Sequence, residues 1–225
     1  MTGIWAVVPV KQLDGAKQRL ADFLSPELRR ALATIMLEEV LAALADAHHL
    51  AGIALVTLDP HARRLAARLG ARVITEGARD GHTGSVDAAR RLFAAEGCPG
   101  ILTLPGDVPC TTSAEIDAAL GAHRAAPAFT IVPAHDDQGS NAVIISPPLA
   151  VPLRFGENSY FPHLDAARAS GIEPTIVRLP GIAMDIDHPA DLAAFLRLPL
   201  SHGTRTRAFL QANAVPRLLA ERGFG

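Results

Sequence analysis

The stretch ILTLPGDVP, Ile101 to Pro109, decides the reading of this chain. Ile101 to Leu104 is a short, largely apolar run of strand length, stopped by a proline, as expected of a strand covered on both faces. Pro105 and Gly106 then stiffen a turn that carries one carboxylate, Asp107. Either Asp107 is a turn former that accepts backbone N–H groups, or it is held there to meet a cation.

Working outward, the same strand signal recurs between helical patterns. Ile4 to Val8 is an apolar run ending at Pro9. Ser25-Pro26 opens a helical pattern to about His49, with serine as N-cap and proline in the first turn. Ile53 to Thr57 predicts a strand, and Asp59-Pro60 a helix through Leu69, closed by Gly70. Ala71 to Thr75 predicts a third strand. The polar segment EGARDGHTGS, residues 76–85, predicts a loop before a helix from about Val86 to Ala95. Thr112 to Glu115 has capping-box spacing for a helix to about His123. Phe129 to Pro133 and Asn141 to Ser146 predict strands flanking AHDDQGS. A helix from about Phe161 to Ala169, a strand at Thr175 to Leu179, a helix at Pro189 to Leu196 and a helical tail over about 201–225 complete the chain.

Strands alternating with helices predict a single α/β domain over residues 1–225, with a mostly parallel sheet and helices on both faces. The adjacent strands near 129–146 point to a mixed or antiparallel portion. Ligands of such sheets collect beyond the carboxyl ends of the strands. Asp107 and the loop after Val8 both lie there.

The 225 residues are 49% hydrophobic and 20% charged, with a net charge of −2. That balance excludes a disordered chain and predicts no nucleic-acid partner. Phosphate chemistry must then use local clusters of lysine and arginine. No apolar run approaches the roughly 18 residues of a membrane span, and the N-terminus enters a strand directly. Cys98 and Cys110 lack metal-ligand spacing. A reduced, cytoplasmic protein is the expectation.

Four segments offer chemistry. Asp185-Ile186-Asp187 places two carboxylates on one face of an extended segment and turns Ile186 inward. Such a pair is unfavourable without a cation between its members, and with Asp107 it gives a candidate three-carboxylate site for Mg²⁺ or Mn²⁺. Taken alone, Asp187 can equally cap the helix opened by Pro189. The basic residues Lys11, Lys17 and Arg19 follow the first strand and suit a triphosphate, or an ordinary solvated loop. The P-loop pattern and G-x-G-x-x-G are both missing. Phe155-Gly156-Glu157-Asn158-Ser159, with His163 beyond, can offer backbone N–H groups and a hydroxyl to an anion, or simply an N-cap. Gly139-Ser140-Asn141 opens a strand with room for close backbone approach, and residues 80–85 form a polar segment that can close over a base.

Taken in order, VPVK-x₅-K-x-RL, LPGD-x-P, GSNA, FG-x-x-S-x-x-x-H and D-x-D-x-P-x-DL resemble the guanylyltransferases of deazaflavin coenzyme F-420 biosynthesis. These are the 2-phospho-L-lactate or phosphoenolpyruvate guanylyltransferases, related to the molybdenum-cofactor guanylyltransferases. The resemblance spans nearly the whole chain. It implies a Rossmann-like nucleotidyltransferase domain that moves GMP from GTP to a small phosphorylated carboxylate (2-phospho-L-lactate, phosphoenolpyruvate or 3-phosphoglycerate), with Mg²⁺ and release of pyrophosphate. It implies metal binding by Asp107, Asp185 and Asp187. Catalytic roles fall to Asp107, Lys11 and Lys17. Nucleotide contacts fall to Pro9, Lys11, Lys17, Arg19, Gly84, Ser85, Pro105 and Gly106, and acceptor contacts to Asn141, Gly156 and Ser159. Where the family usually carries Gly-Leu-Asn-Ala, this chain has Gly81-His82-Thr83-Gly84-Ser85-Val86-Asp87. The remaining readings are a nucleotidyltransferase with another nucleotide or acceptor, a nucleotide-sugar glycosyltransferase, and an inactive nucleotide-binding module. The tail around Phe209 to Leu219 fits either its own core or a homodimer boundary.

Overall fold

Ala6, Val7 and Val8 are all fully buried, yet they divide between two apolar layers, as the alternation of a strand requires. They belong to β1 (Ile4–Pro9), next to the centre of a seven-stranded sheet in the computed structural model, which describes residues 3–156 and 158–224. The other strands are β2 (Leu50–Val56), β3 (Arg72–Ile74), β4 (Gly100–Thr103), β5 (Ala128–Pro133), β6 (Ser140–Ser146) and β7 (Thr175–Ile176). Their order is β3-β2-β1-β4-β6-β5-β7, with β6 antiparallel to both β4 and β5 and all other pairs parallel. The α/β class and the mixed portion near 129–146 are as expected from the sequence.

On one face lie α1 (Pro26–Ala45), α2 (Pro60–Arg68) and α4 (Ser113–Ala122), which bury Leu37, Leu41, Leu65 and Ile116 against Ala6, Val8 and Leu102. On the other lie α3 (Gly81–Ala95) and α5 (Tyr160–Ala169), whose Phe93, Val86 and Leu164 meet Val7, Ile101 and Val143. The caps read from sequence are made. Ser25 accepts from the backbone N–H of Leu28, Asp59 from those of His61 and Ala62, and Thr112 from that of Glu115.

Two expectations need correction. Residues 81–85 are the first turn of α3 and not loop, so the helix begins five residues before Val86. Two glycines and a threonine hide that turn from a propensity reading. The last strand pairs only at Thr175–Ile176, with Val177 adding one hydrogen bond to Ile131. Its predicted end, Leu179, instead precedes a short helix, α6 (Pro180–Ala183).

The tail forms α8 (Arg205–Ala212) and α9 (Val215–Glu221). It closes a third apolar cluster with α7 (Pro189–Arg197), burying Leu210, Val215 and Leu219 against Leu32, Met36, Leu192 and Phe195. It therefore packs on its own chain.

Candidate active site

Beyond the carboxyl ends of β1 and β4 lies a cavity of about 510 Å³. Its wall includes Pro9, Lys11, Lys17 and Arg19 from the basic loop and Pro105, Gly106 and Asp107 from the turn after β4. Asp187 closes one side, and Gly81, His82 and Ser85 of α3 another. The strands stop together here, and the Ile4–Val7 register against Gly100–Thr103 sets the basic loop beside the Asp107 turn.

The basic loop is built, not draped. Leu13 donates its backbone N–H to the buried Asp59 at 3.0 Å. The buried Arg29 of α1 donates to the carbonyls of Ala16 and Leu24 at 3.3 and 2.9 Å. Between those anchors Lys17 takes a left-handed backbone, φ 54° and ψ 46°, which is costly for a side-chain-bearing residue. That turn sends its side chain inward, where it is 7% exposed, with Nζ 2.6 Å from Asp107 Oδ2 and 2.7 Å from Asp187 Oδ1.

Lys17 thus ties together two acids eighty residues apart in sequence. The backbone joins the same segments, because Ile186 donates its N–H to the Asp107 carbonyl at 3.2 Å. Asp107 is no mere turn former, since its carboxylate faces Lys17. Asp187 is no helix cap either. His188 holds the N-cap position of α7, and Asp191 accepts from the N–H groups of Asp187 and His188 at 2.9 and 2.6 Å. Ile186 is fully buried, as alternation predicts.

Burial pushes the Asp107 carboxyl above the usual carboxylate range; Lys17 opposes the rise, while Asp187 and Asp185 add to it. Burial alone would lower the Lys17 pKa, but the two carboxylates outweigh it and hold the ammonium protonated. Asp185 stands slightly apart. Its Oδ1 accepts from Asn141 Nδ2 at 3.0 Å and lies 3.9 Å from His135 Nδ1. Despite burial, those two partners draw its pKa down. Among the described residues no group of three or more His, Cys, Asp or Glu side chains could hold a metal ion by itself. The three aspartates converge as a neighbourhood, with Lys17 between two of them.

Arg19 lies 3.6 Å from Asp187 Oδ2 and 3.2 Å from His188 Nε2. Lys11 is exposed at the rim. Ser85 is buried and spends its hydroxyl on the carbonyl of Gly77 at 3.0 Å, and Gly84 sits inside the first turn of α3, outside the cavity wall.

The acceptor residues expected from sequence form a second, adjoining group. Gly156 has φ +144°, a conformation that only glycine adopts readily. Ser159 precedes α5 without capping it, and its hydroxyl donates to Ser140 Oγ at 3.2 Å. Asn141 directs its amide nitrogen to the carbonyls of Ile182 and Ala183 and to Asp185, so its side chain holds the aspartate segment. None of the three lines the 510 Å³ cavity. The two groups are latched together by α3. Thr83 Oγ1 accepts from the Phe155 N–H at 3.0 Å and donates to its carbonyl at 3.3 Å, while the His82 ring packs at a tilt against Phe155, with centroids 4.5 Å apart.

Sequence reasoning left three contributors unassigned. His82 lines the cavity, and burial, with Lys11 and His163 nearby, lowers its pKa to about 4. Arg29 and Glu115 shape the site from behind. Glu115 accepts from the N–H groups of Gly181 and Ile182 at 2.8 and 3.0 Å and so fixes the first turn of α6, just before Asp185. The local signals at residues 80–85 and at the Thr112–Glu115 capping-box spacing do not reveal these roles, because each acts across long sequence separations.

Comparison with known proteins agrees with this geometry. A family described as "Guanylyl transferase CofC like" matches residues 4–215. A phosphoenolpyruvate guanylyltransferase of Rubrobacter xylanophilus is 36% identical over 204 residues, covering 91% of this chain and 97% of that protein. A 2-phospho-L-lactate guanylyltransferase of Methanothermobacter thermautotrophicus is 30% identical, covering 92% and 89%. In fold, a solved protein of Desulfovibrio desulfuricans G20 superposes with a TM-score of 0.79 at 19% identity, over 98% of both chains. A nucleotidyl transferase of Methanothermobacter thermautotrophicus superposes with a TM-score of 0.58 at 17% identity, over 95% of this chain and 99% of that one. The chain is a nucleotidyltransferase and belongs to the CofC-like guanylyl transferase family.

Proposed function

We propose that this enzyme transfers GMP from GTP to a small phosphorylated carboxylate, phosphoenolpyruvate or 2-phospho-L-lactate, and releases pyrophosphate. The observation that carries the reading is the Lys17 ammonium held by Asp107 and Asp187 on the wall of a cavity that the basic loop encloses. Paired carboxylates set beside cationic side chains suit a divalent cation shared with phosphate groups.

The donor set fits Mg²⁺. Carboxylate oxygens are hard ligands, and Mg²⁺ is usually held by one or two protein carboxylates with substrate phosphates and water completing the shell. Asp107 and Asp187 supply such a pair, and Asp185 a neighbouring third charge. Bound there, the ion would offset the repulsion between two phosphorylated substrates and stabilise charge developing at the α-phosphate.

The remaining steps belong to the chain. An acceptor phosphate oxygen, already anionic at neutral pH, attacks the α-phosphorus of GTP. A new P–O bond forms, the α–β anhydride bond breaks, and pyrophosphate leaves with the electron pair. Lys11, Lys17 and Arg19 neutralise the departing phosphates, and the backbone at Gly156 and Ser159 orients the acceptor carboxylate. Asp107→Asn preserves shape and removes charge. With GTP, Mg²⁺ and phosphoenolpyruvate or 2-phospho-L-lactate, its pyrophosphate release should drop by about 10²-fold or more. Wild-type turnover by that variant would remove Asp107 from the reaction.

A further inference from the structure

Ser140 opens β6 beside Asn141, and the two side chains have different partners. Asn141 is spent on the aspartate segment. Ser140 Oγ lies 2.9 Å from His163 Nδ1 and 3.2 Å from Ser159 Oγ, next to the acceptor loop.

The direction of these bonds follows from one backbone amide. Arg154 donates its N–H to His163 Nε2 at 3.0 Å. An amide can only donate, so Nε2 bears no proton and the proton of the neutral ring sits on Nδ1. His163 therefore donates to Ser140. The ring is 1% exposed and edge-on to Phe155 at 5.0 Å, and burial lowers its pKa to about 4, so the neutral form persists at physiological pH. Ser159 donates to the same oxygen. Both lone pairs of Ser140 Oγ are then occupied, and its own proton has no partner among the described residues.

A half-buried hydroxyl that can only donate is matched to an anion that can only accept. We infer that Ser140 binds the acceptor substrate through its carboxylate, and that His163 is the positioning residue that makes Ser140 a donor. This rests on the reading that the acceptor lies against Gly156 and Ser159. Its reacting phosphate must point toward Asp107 and Asp187, so the carboxylate is the end left for Ser140.

The test is steady-state pyrophosphate release, varying GTP and phosphoenolpyruvate or 2-phospho-L-lactate independently. Ser140→Ala should raise KM for the acceptor about tenfold or more, as expected for loss of one hydrogen bond to a charged group, with KM for GTP unchanged. Ser140→Thr, which keeps the hydroxyl, should recover most of that loss. His163→Asn should reproduce the acceptor defect, and combining it with Ser140→Ala should add little. A Ser140→Ala enzyme with wild-type acceptor KM, or one whose GTP KM rises equally, would overturn the inference while leaving the transferase intact. A wild-type enzyme that transfers to neither acceptor would overturn the function on which it stands.

Discussion

Lys17→Met is the perturbation that isolates the centre of the site. Methionine nearly matches lysine in length and inherits the same left-handed backbone, so the backbone cost cancels and the difference is the ammonium. Two bonds are lost, at 2.6 Å to Asp107 and 2.7 Å to Asp187. Asp187 is 41% exposed and water can replace much of its share, about 0.5 kcal/mol. Asp107 is 27% exposed, and its share is roughly 2 kcal/mol. For a chain of this length each kcal/mol moves Tm by about 2–4 °C. The variant should therefore melt about 5–10 °C lower without divalent metal. Millimolar Mg²⁺ should restore more stability to Lys17→Met than it adds to the wild type, because the ammonium no longer neutralises the carboxylates that the ion needs. The assay is thermal unfolding followed by circular dichroism, with EDTA and with Mg²⁺. An unchanged Tm in EDTA, or equal Mg²⁺ stabilisation of both proteins, would refute the idea that Lys17 and a divalent cation draw on the same carboxylates.

His163 gives a pH dependence with a defined sign. Its folded-state pKa is depressed from 6.5 to about 4 by burial and by the charge of Arg90, so the unfolded chain takes up the proton more readily. Its contribution is complete above pH 6.5 and is lost as pH falls toward 4. Urea unfolding should show about 2 kcal/mol less stability from this group at pH 5 than at pH 6.5, and His163→Asn should flatten the profile. A Cβ on Gly181 would overlap the Cys110 carbonyl oxygen and a Glu115 carboxylate oxygen. Gly181→Ala should cost about 1–3 kcal/mol and disturb the aspartate segment that follows, whereas Gly121→Ala, with open space around it, should stabilise helix α4 by about 0.5–1 kcal/mol in the same unfolding assay.

Where order along the chain and alternation carry the information, the sequence was legible. The strand that stops just before Pro105, the inward Ile186 and the capped starts of α1, α2 and α4 all depend on contacts within a few residues. The grouping of Asp107 with Asp185 and Asp187 was legible as a candidate metal site from residue types and alternation, and the likeness to a family added the reaction it would serve. What escaped has a common physical origin. The first turn of α3 is built from residues of poor helical propensity, stabilised by the Thr83–Phe155 and Ser85–Gly77 bonds that cross to other segments. The place of Lys17 between the acids depends on a positive φ that no lysine advertises. The use of Asn141 as a brace for Asp185, and of Ser140 as the group facing Ser159, turns on which side of β6 each one occupies, and only the completed sheet settles that.

The convergence of charge is itself the work of an apolar cluster. Leu20, Cys110 and Ile186 are all buried in the third core, together with Met36, Phe195 and the tail residues Leu210, Val215 and Leu219. Each of the first three lies within three residues of a charged member of the site: Leu20 follows Lys17, Cys110 follows Asp107, and Ile186 separates the two aspartates. Carboxylates and an ammonium cannot pull one another into register from solution, because that attraction is weak in water and screened by salt. Burial of their apolar neighbours is not, and it holds the three backbones in place. The Cys110 thiol follows the same logic. Burial raises its pKa to about 12, which leaves it an inert apolar group despite its closeness to the chemistry. The tail helices therefore matter to the site without touching it, since they form the outer wall of the cluster from which Lys17, Asp107 and Asp187 project.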